Sequence, residues 1–230
     1  MQSRIKETLI LAVAVIFSGI LAYNGFCRMI NKDRSVTVRG LAEREVPADK
    51  VFWSVSFSEL GNEIVPLYHK VREKDSIIVQ FFMERGLPRE DITIDAQSIE
   101  DAYADRYRDQ SKRPEFRYTM TSTITVASSK VELVRNLQME VAVLAGKEIL
   151  VNSGFARYEF TGLNDIKPEM IGEATRNARQ AAENFAKDSQ SKIGNIREAS
   201  QGVFSIEDRD DNTPTIKKVR VVTRIDFALD

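Results

Sequence analysis

The sequence predicts an α+β fold, with antiparallel sheets covered by helices on one face, preceded by one N-terminal transmembrane helix. Three observations lead there. Residues 51–57 and 117–126 alternate apolar and polar side chains, the period of two that half-buried strands require. Residues 64–82, 131–144 and 168–185 carry apolar side chains at helical spacing. Residues 8–26 form 19 positions without a charge, about 28 Å as a helix, near the thickness of a bilayer's hydrocarbon core.

That N-terminal segment follows Arg4 and Lys6 and ends with Tyr23 and Phe26, aromatics suited to a membrane interface. A retained single-pass signal anchor is the preferred reading. A cleaved signal peptide is the alternative, although Ile20-Leu21-Ala22 is a poor small-x-small cleavage site. A buried core helix fits least, because the segment is apolar on every face. Arg28, Lys32 and Arg34 balance the positive charge before the span, so local charge does not set the topology. The long remainder is expected outside the cytoplasm. Cys27 follows Phe26, where a lipidation signal wants a small residue, so it reads as an interfacial thiol.

Residues 1–27 thus form the anchor, 28–34 a polar tether, and 35–230 one α+β domain. Its first strand alternates Val36 and Val38 with Thr37 and Arg39, and Gly40 interrupts as a bulge or bend does. Pro47-Ala48-Asp49 reads as a turn. Val51, Trp53, Val55 and Phe57 face a core, leaving a serine-rich outer face. Gly61-Asn62 ends this strand and caps a helix with the stripe Ile64, Leu67, Val71, Ile78 and Phe82. Pro66 falls in its first turn, Gly86 stops it, and Pro88 prevents its resumption.

Ile92, Ile94, Ala96 and Ser98 begin the next strand. Its partner shows Tyr118, Met120, Ser122, Ile124 and Val126 on one side and Thr119, Thr121, Thr123 and Thr125 on the other. The polar stretch 101–114 between them, with Tyr103 and Tyr107, is a hairpin tip. Val131, Val134, Leu137, Val141 and Leu144 make a second helix closed by Gly146. A strand lies near residues 155–161. Lys167-Pro168 opens a third helix, with the inward stripe Ile171, Ala174, Ala178, Ala181 and Phe185 and a stop at Gly194. Val203-Phe204 belongs to a further strand, and residues 218–227 alternate as the last.

In this order the chain resembles the SIMPL domain family. Val36-Thr37-Val38-Arg39-Gly40 with Pro47-Ala48-Asp49 is similar to the family's opening strand and turn, although Ala42 stands where many members have glycine. Gly86-Leu87-Pro88-Arg89-Glu90-Asp91-Ile92 is similar to its helix-ending segment, and residues 174–186 to its Ala/Arg-rich helix. Tyr118 with Thr123-Ile124-Thr125-Val126 matches a strand of the family, and Ile193-Gly194 its helix terminator. The resemblance implies an exported, periplasmic or envelope-associated protein without assigned catalytic residues. Some members are implied to form large oligomers, and some are tied to stress tolerance.

Composition removes several classes of function. Thirty-three basic and 34 acidic residues leave a net charge of -1, against a nucleic-acid binder read from charge. Setting aside Arg4, Lys6 and Glu7 with the first 27 residues leaves 31 basic and 33 acidic side chains, a surface with no sign preference. One cysteine excludes an intrachain disulfide, and one histidine excludes a His-His metal pair. Asp208-x-Asp210-x-Asn212 begins like a calcium loop, but Thr213 and Val219 stand where Gly and Glu are needed. Ser189-Gln190-Ser191-Lys192 has a Ser-x-x-Lys spacing without its companion motifs. His69 lies mid-helix with no nucleophile spaced to it, and Glu100-Asp101 and Glu43/Glu45 are chance acidic pairs in an acid-rich chain. Trp53 reads as core. No catalytic, cofactor-binding or metal-ligating residue is assigned, and no cofactor is expected. The expected partners are further copies of the chain, a membrane through residues 8–26 and an envelope protein, with no nucleic acid.

Overall fold

The computed structural model describes residues 15–23, 34–104 and 114–230. Residues 15–23 are helical. Among the described residues no helix is long and apolar enough to cross a membrane. Most of segment 8–26, Cys27, residues 28–33 of the expected tether and Tyr107 lie outside the described residues. The chain falls into two compact units, Met1–Arg44 with Asn164–Ser205 and Val219–Asp230, and Glu45–Leu163 with Ile206–Lys218.

The elements are β1 (Ser35–Pro47), β2 (Lys50–Gly61), α1 (Ile64–Glu84), β3 (Ile92–Ile94), β4 (Ser98–Asp101), β5 (Tyr118–Ser128), α2 (Val131–Glu140), β6 (Asn152–Ser153), β7 (Arg157–Glu159), α3 (Leu163–Asp188), β8 (Ile193–Gln201), β9 (Ser205–Asp208) and β10 (Ile216–Leu229). This is the α+β class, with antiparallel strand pairs in both sheets.

In the unit of Glu45–Leu163 the sheet order is β3-β5-β2-β6, with β4 against β5 and β7 against β2. The β2–β5 register sets Val51, Trp53, Val55 and Phe57 beside Ser128, Val126, Ile124 and Ser122. Their inward side chains are buried with Leu67, Val71, Ile78 and Phe82 of α1 and Val134 and Leu137 of α2. Trp53 is core as expected; its ring tilts against Phe82 and its indole N–H donates to Ser153. Gly86 at φ 94 closes α1 as its sequence position requires. Asn62 does not cap α1; its side-chain oxygen accepts the Arg117 N–H.

The strand expected over 92–98 is two strands. Ile94 lies opposite Ile124 and Ser98 opposite Thr121, so four steps on the outer strand meet three on β5. This bulge turns Gln97 toward the interior. The second helix also departs from expectation. After Glu140 it tightens into a 3-10 segment, Val141–Lys147, and Glu148, not Gly146, takes the left-handed conformation at φ 59. Only Arg157–Glu159 of residues 155–161 pairs as a strand.

In the other unit α3 covers β1 and β10, and its core gathers Val38, Ala178, Ala182, Ile225 and Phe227. Gly40 does not interrupt β1, whose alternation of buried and exposed residues runs through it from Val38 to Ala42. A Cβ there would lie 1.8 Å from the Ala174 carbonyl oxygen and 2.5 Å from the Ala178 nitrogen. The strand and helix backbones touch at that point. The contact also corrects the stripe: Met170, Ala174, Ala178, Ala182 and Ala186 are buried at strict four-residue steps, and Phe185 is 61% exposed. A helix this close admits methyl groups on its inner row and expels a phenyl ring.

Pro168 does not open α3, which starts five residues earlier at Leu163. The preceding turn is held by Asp49, whose carboxylate accepts the Thr161 and Gly162 N–H groups and the Thr161 hydroxyl. That anchor fixes the entry, so the helix begins there although Pro168 later forfeits one internal hydrogen bond. At the other end Gln190 at φ 55, not Gly194, makes the left-handed exit, and Gly194 lies within β8. Val203-Phe204 is the break between β8 and β9.

Candidate functional site

The outer faces of the two sheets and their edges carry the polar chemistry. On the β2–β5 face the serines and threonines expected to face outward pair across the strands. Ser54 lies 3.2 Å from Thr125 and Ser58 2.8 Å from Thr121, oxygen to oxygen, and the Thr125 hydroxyl donates to Asp95. Neutral hydroxyl pairs of this kind tie adjacent strands at about 0.2–1 kcal/mol each.

Beneath the same sheet lies a carboxylate that sequence reasoning missed. Asp75 is 1% exposed. It accepts the Ser122 hydroxyl at 2.6 Å and the Gln97 amide at 2.9 Å. Two signals could have found it. Asp75 occupies the gap in the stripe Leu67, Val71, Ile78 and Phe82, and Ser122 is the polar member of an inward apolar row. Two donors and no solvent access make this a locking network rather than a reacting pair.

At the end of β2, Glu59 meets Lys70 at 2.7 Å and also pairs with Lys74, which donates to the Glu148 carbonyl as well. Burial works to raise the Glu59 carboxyl, but the two ammonium groups outweigh it and hold the group below the usual carboxylate range. The lysines sit four residues apart on α1 and so reach one acceptor. Beside α1, a groove of about 620 Å³ runs past Arg72, Val79, Met83, Arg89 and Ile94.

In the unit containing α3 the site is the strand β8. Its residues are exposed or half-exposed from Ile193 to Gln201, on both faces. The order β1-β10-β8 leaves it outermost. Glu198 lies opposite Asp226 and Ser200 opposite Arg224. With Thr37 these four line a hollow of about 130 Å³ on the face away from α3. Asp226 accepts the Thr37 hydroxyl at 3.0 Å and has Arg197 at 4.0 Å.

The residues weighed from sequence do not converge. Asp210 accepts the Asn212 N–H, the Thr213 hydroxyl and Arg209, an Asx turn closed on itself. The Thr213 hydroxyl and then the Arg209 guanidinium pull its carboxyl down to about 2. Asp208 pairs instead with Lys217. Ser189 donates back to the Ala186 carbonyl at the end of α3, and Lys192 pairs its backbone with Asp230. His69 is exposed, with Tyr68 edge-on at 6.0 Å. Asp101 is bound by Arg117, whose hydrogen bond lowers its carboxyl. Glu43 pairs with Arg220 and Glu45 with Arg209. Among the described residues no group of three His, Cys, Asp or Glu side chains is placed to hold a metal ion.

No curated protein matches the chain. The family model of SIMPL, a protein of unknown function (DUF541), matches residues 36–223, from β1 into β10. The match takes in the strand and turn at Val36–Gly40 and Pro47–Asp49, the segment from Gly86 to Ile92 and the alanine-rich helix. The chain therefore belongs to the SIMPL family.

Proposed function

We propose that the chain is a non-enzymatic protein of the cell envelope, tethered to the cytoplasmic membrane through residues 8–26. Its folded part lies outside the cytoplasm and acts by self-assembly or by binding an envelope protein. The observation that carries this reading is β8, an outermost strand reached by solvent along its whole length. An unpaired strand edge is a template for another strand, and tethering raises the local concentration of copies. The uncharged N-terminal stretch supports the tether.

Membrane and soluble fractions, blotted and followed by N-terminal sequencing, test the address. Retention of residues 1–27 in the membrane fraction is expected, and a mature chain free in the cytosol would overturn it. Light scattering on the full chain in detergent tests assembly. A clean monomer at tens of micromolar sinks that half of the proposal.

The groove beside α1 favours a second reading, a monomeric module for a small apolar ligand or peptide. Val79, Met83 and Ile94 give it an apolar floor, and Arg72, Gln80, Glu84 and Arg89 a polar rim. Thermal-shift screening that never moves the melting point removes this reading. An envelope hydrolase is the third reading. Glu198 and Asp226 lie opposite each other on one face and line a hollow of about 130 Å³ with Thr37, Ser200 and Arg224.

A further inference from the structure

The pattern of hydrogen bonds along β8 fixes which of its backbone groups are free. The Gly202 N–H donates to the Val222 carbonyl. In the antiparallel register of Thr223 with Gln201 through Asp226 with Glu198, Ser200 and Glu198 therefore also turn their backbone groups toward β10. Ala199 and Gln201 turn theirs outward. Among the described residues no strand lies on that side. The register breaks beyond Glu198, so the regular edge is short and ends at Gln201.

We propose that this edge pairs with the same edge of a second copy, antiparallel about a twofold axis at Ala199. The inference rests on the self-assembly reading above and names its surface. With Ala199 opposite Ala199 of the second copy, Arg197 faces Gln201 and Glu198 faces Ser200. Charge selects this register. Within one chain Glu198 lies opposite Asp226, two carboxylates side by side, and Ser200 lies opposite Arg224. Arg224 is exposed and makes no ion pair among the described residues. The twofold arrangement lines up Asp226 and Glu198 of one copy with Ser200 and Arg224 of the other, twice by symmetry. A shift in one direction sets Glu198 against Glu198 and gathers four carboxylates in a row, which repel. A shift in the other direction sets Glu198 against Gly202 and separates it from Arg224. Only the Ala199-centred register keeps the carboxylates of the two copies apart and turns Glu198 of each toward Arg224 of the other.

The test uses the full chain in detergent, with Cys27→Ser as background. Ala199→Pro deletes an outward N–H that serves no bond within the chain, and Arg224→Glu reverses an exposed charge. Each is expected to weaken association at least tenfold by light scattering over a concentration series, with unchanged circular dichroism. Glu198→Cys and Ser200→Cys chains, oxidised separately, are expected to stay unlinked. Mixed, they are expected to give a 198–200 disulfide between copies, read by mass spectrometry. Wild-type association in both Ala199→Pro and Arg224→Glu, or a dominant 198–198 link, overturns the edge proposal while leaving self-assembly standing. A wild-type chain that is monomeric at every concentration overturns both.

Discussion

Gly40 shows how one missing atom sets a packing distance. The Ala174 carbonyl occupies the space a side chain would need. Gly40→Ala is expected to cost about 3 kcal/mol, at the upper end of overpacking. The check is a lower urea midpoint at unchanged slope. Asp75 makes a different case. Asp75→Ala leaves the Ser122 hydroxyl and the Gln97 amide without their acceptor, at a cost of about 1–3 kcal/mol. Asp75→Leu combined with Ser122→Ala removes acceptor and hydroxyl together and is expected to lose less than Asp75→Ala alone. Denaturant unfolding of the variants decides it; additive losses would mean that the two groups act independently.

At the scale of elements, α1 is held to β2 by charge as well as by its apolar stripe. Glu59 is lowered in the folded state, so its contribution is fully present above the ordinary glutamate range near 4.3. It is lost as pH falls through the lower folded value. Glu59→Gln is therefore expected to flatten the acid side of the stability curve, measured by urea unfolding between roughly pH 2 and 5. An acid limb identical to wild type would remove Glu59 from the account. Elements buried on one face were legible: the alternation over 51–57 and 118–126 and the apolar spacing of α1 each name their inward residues. β8 was not, because a strand wet on both faces has no alternation to read. The start of α3 was misplaced for a related reason. Its first turn is fixed by Asp49, more than a hundred residues upstream, while Pro168 is the nearest local signal. The α3 stripe was off by a residue at Ala181 and Phe185, since close approach at Gly40 selects for size rather than for hydrophobicity.

Across the whole molecule, the family was legible because its motifs mark turns and backbone approaches that sequence alone displays. The candidate site was less so. Glu198, Ser200, Arg224 and Asp226 gain meaning only from the pairing of β8 with β10, which no spacing within either segment reveals. That pairing also places β10 at the centre of a sheet, between β1 and β8. A chain ending after Lys218 is expected to lose amide protection over residues 35–44 and 193–201 in hydrogen exchange, because their strands lose the neighbour that binds them. Protection equal to wild type would show that β10 is dispensable there. Because β10 follows both of its neighbours along the chain, a ribosome makes β1 and β8 before the strand that joins them. Until synthesis has passed Leu229, β1 waits for the neighbour it zips against.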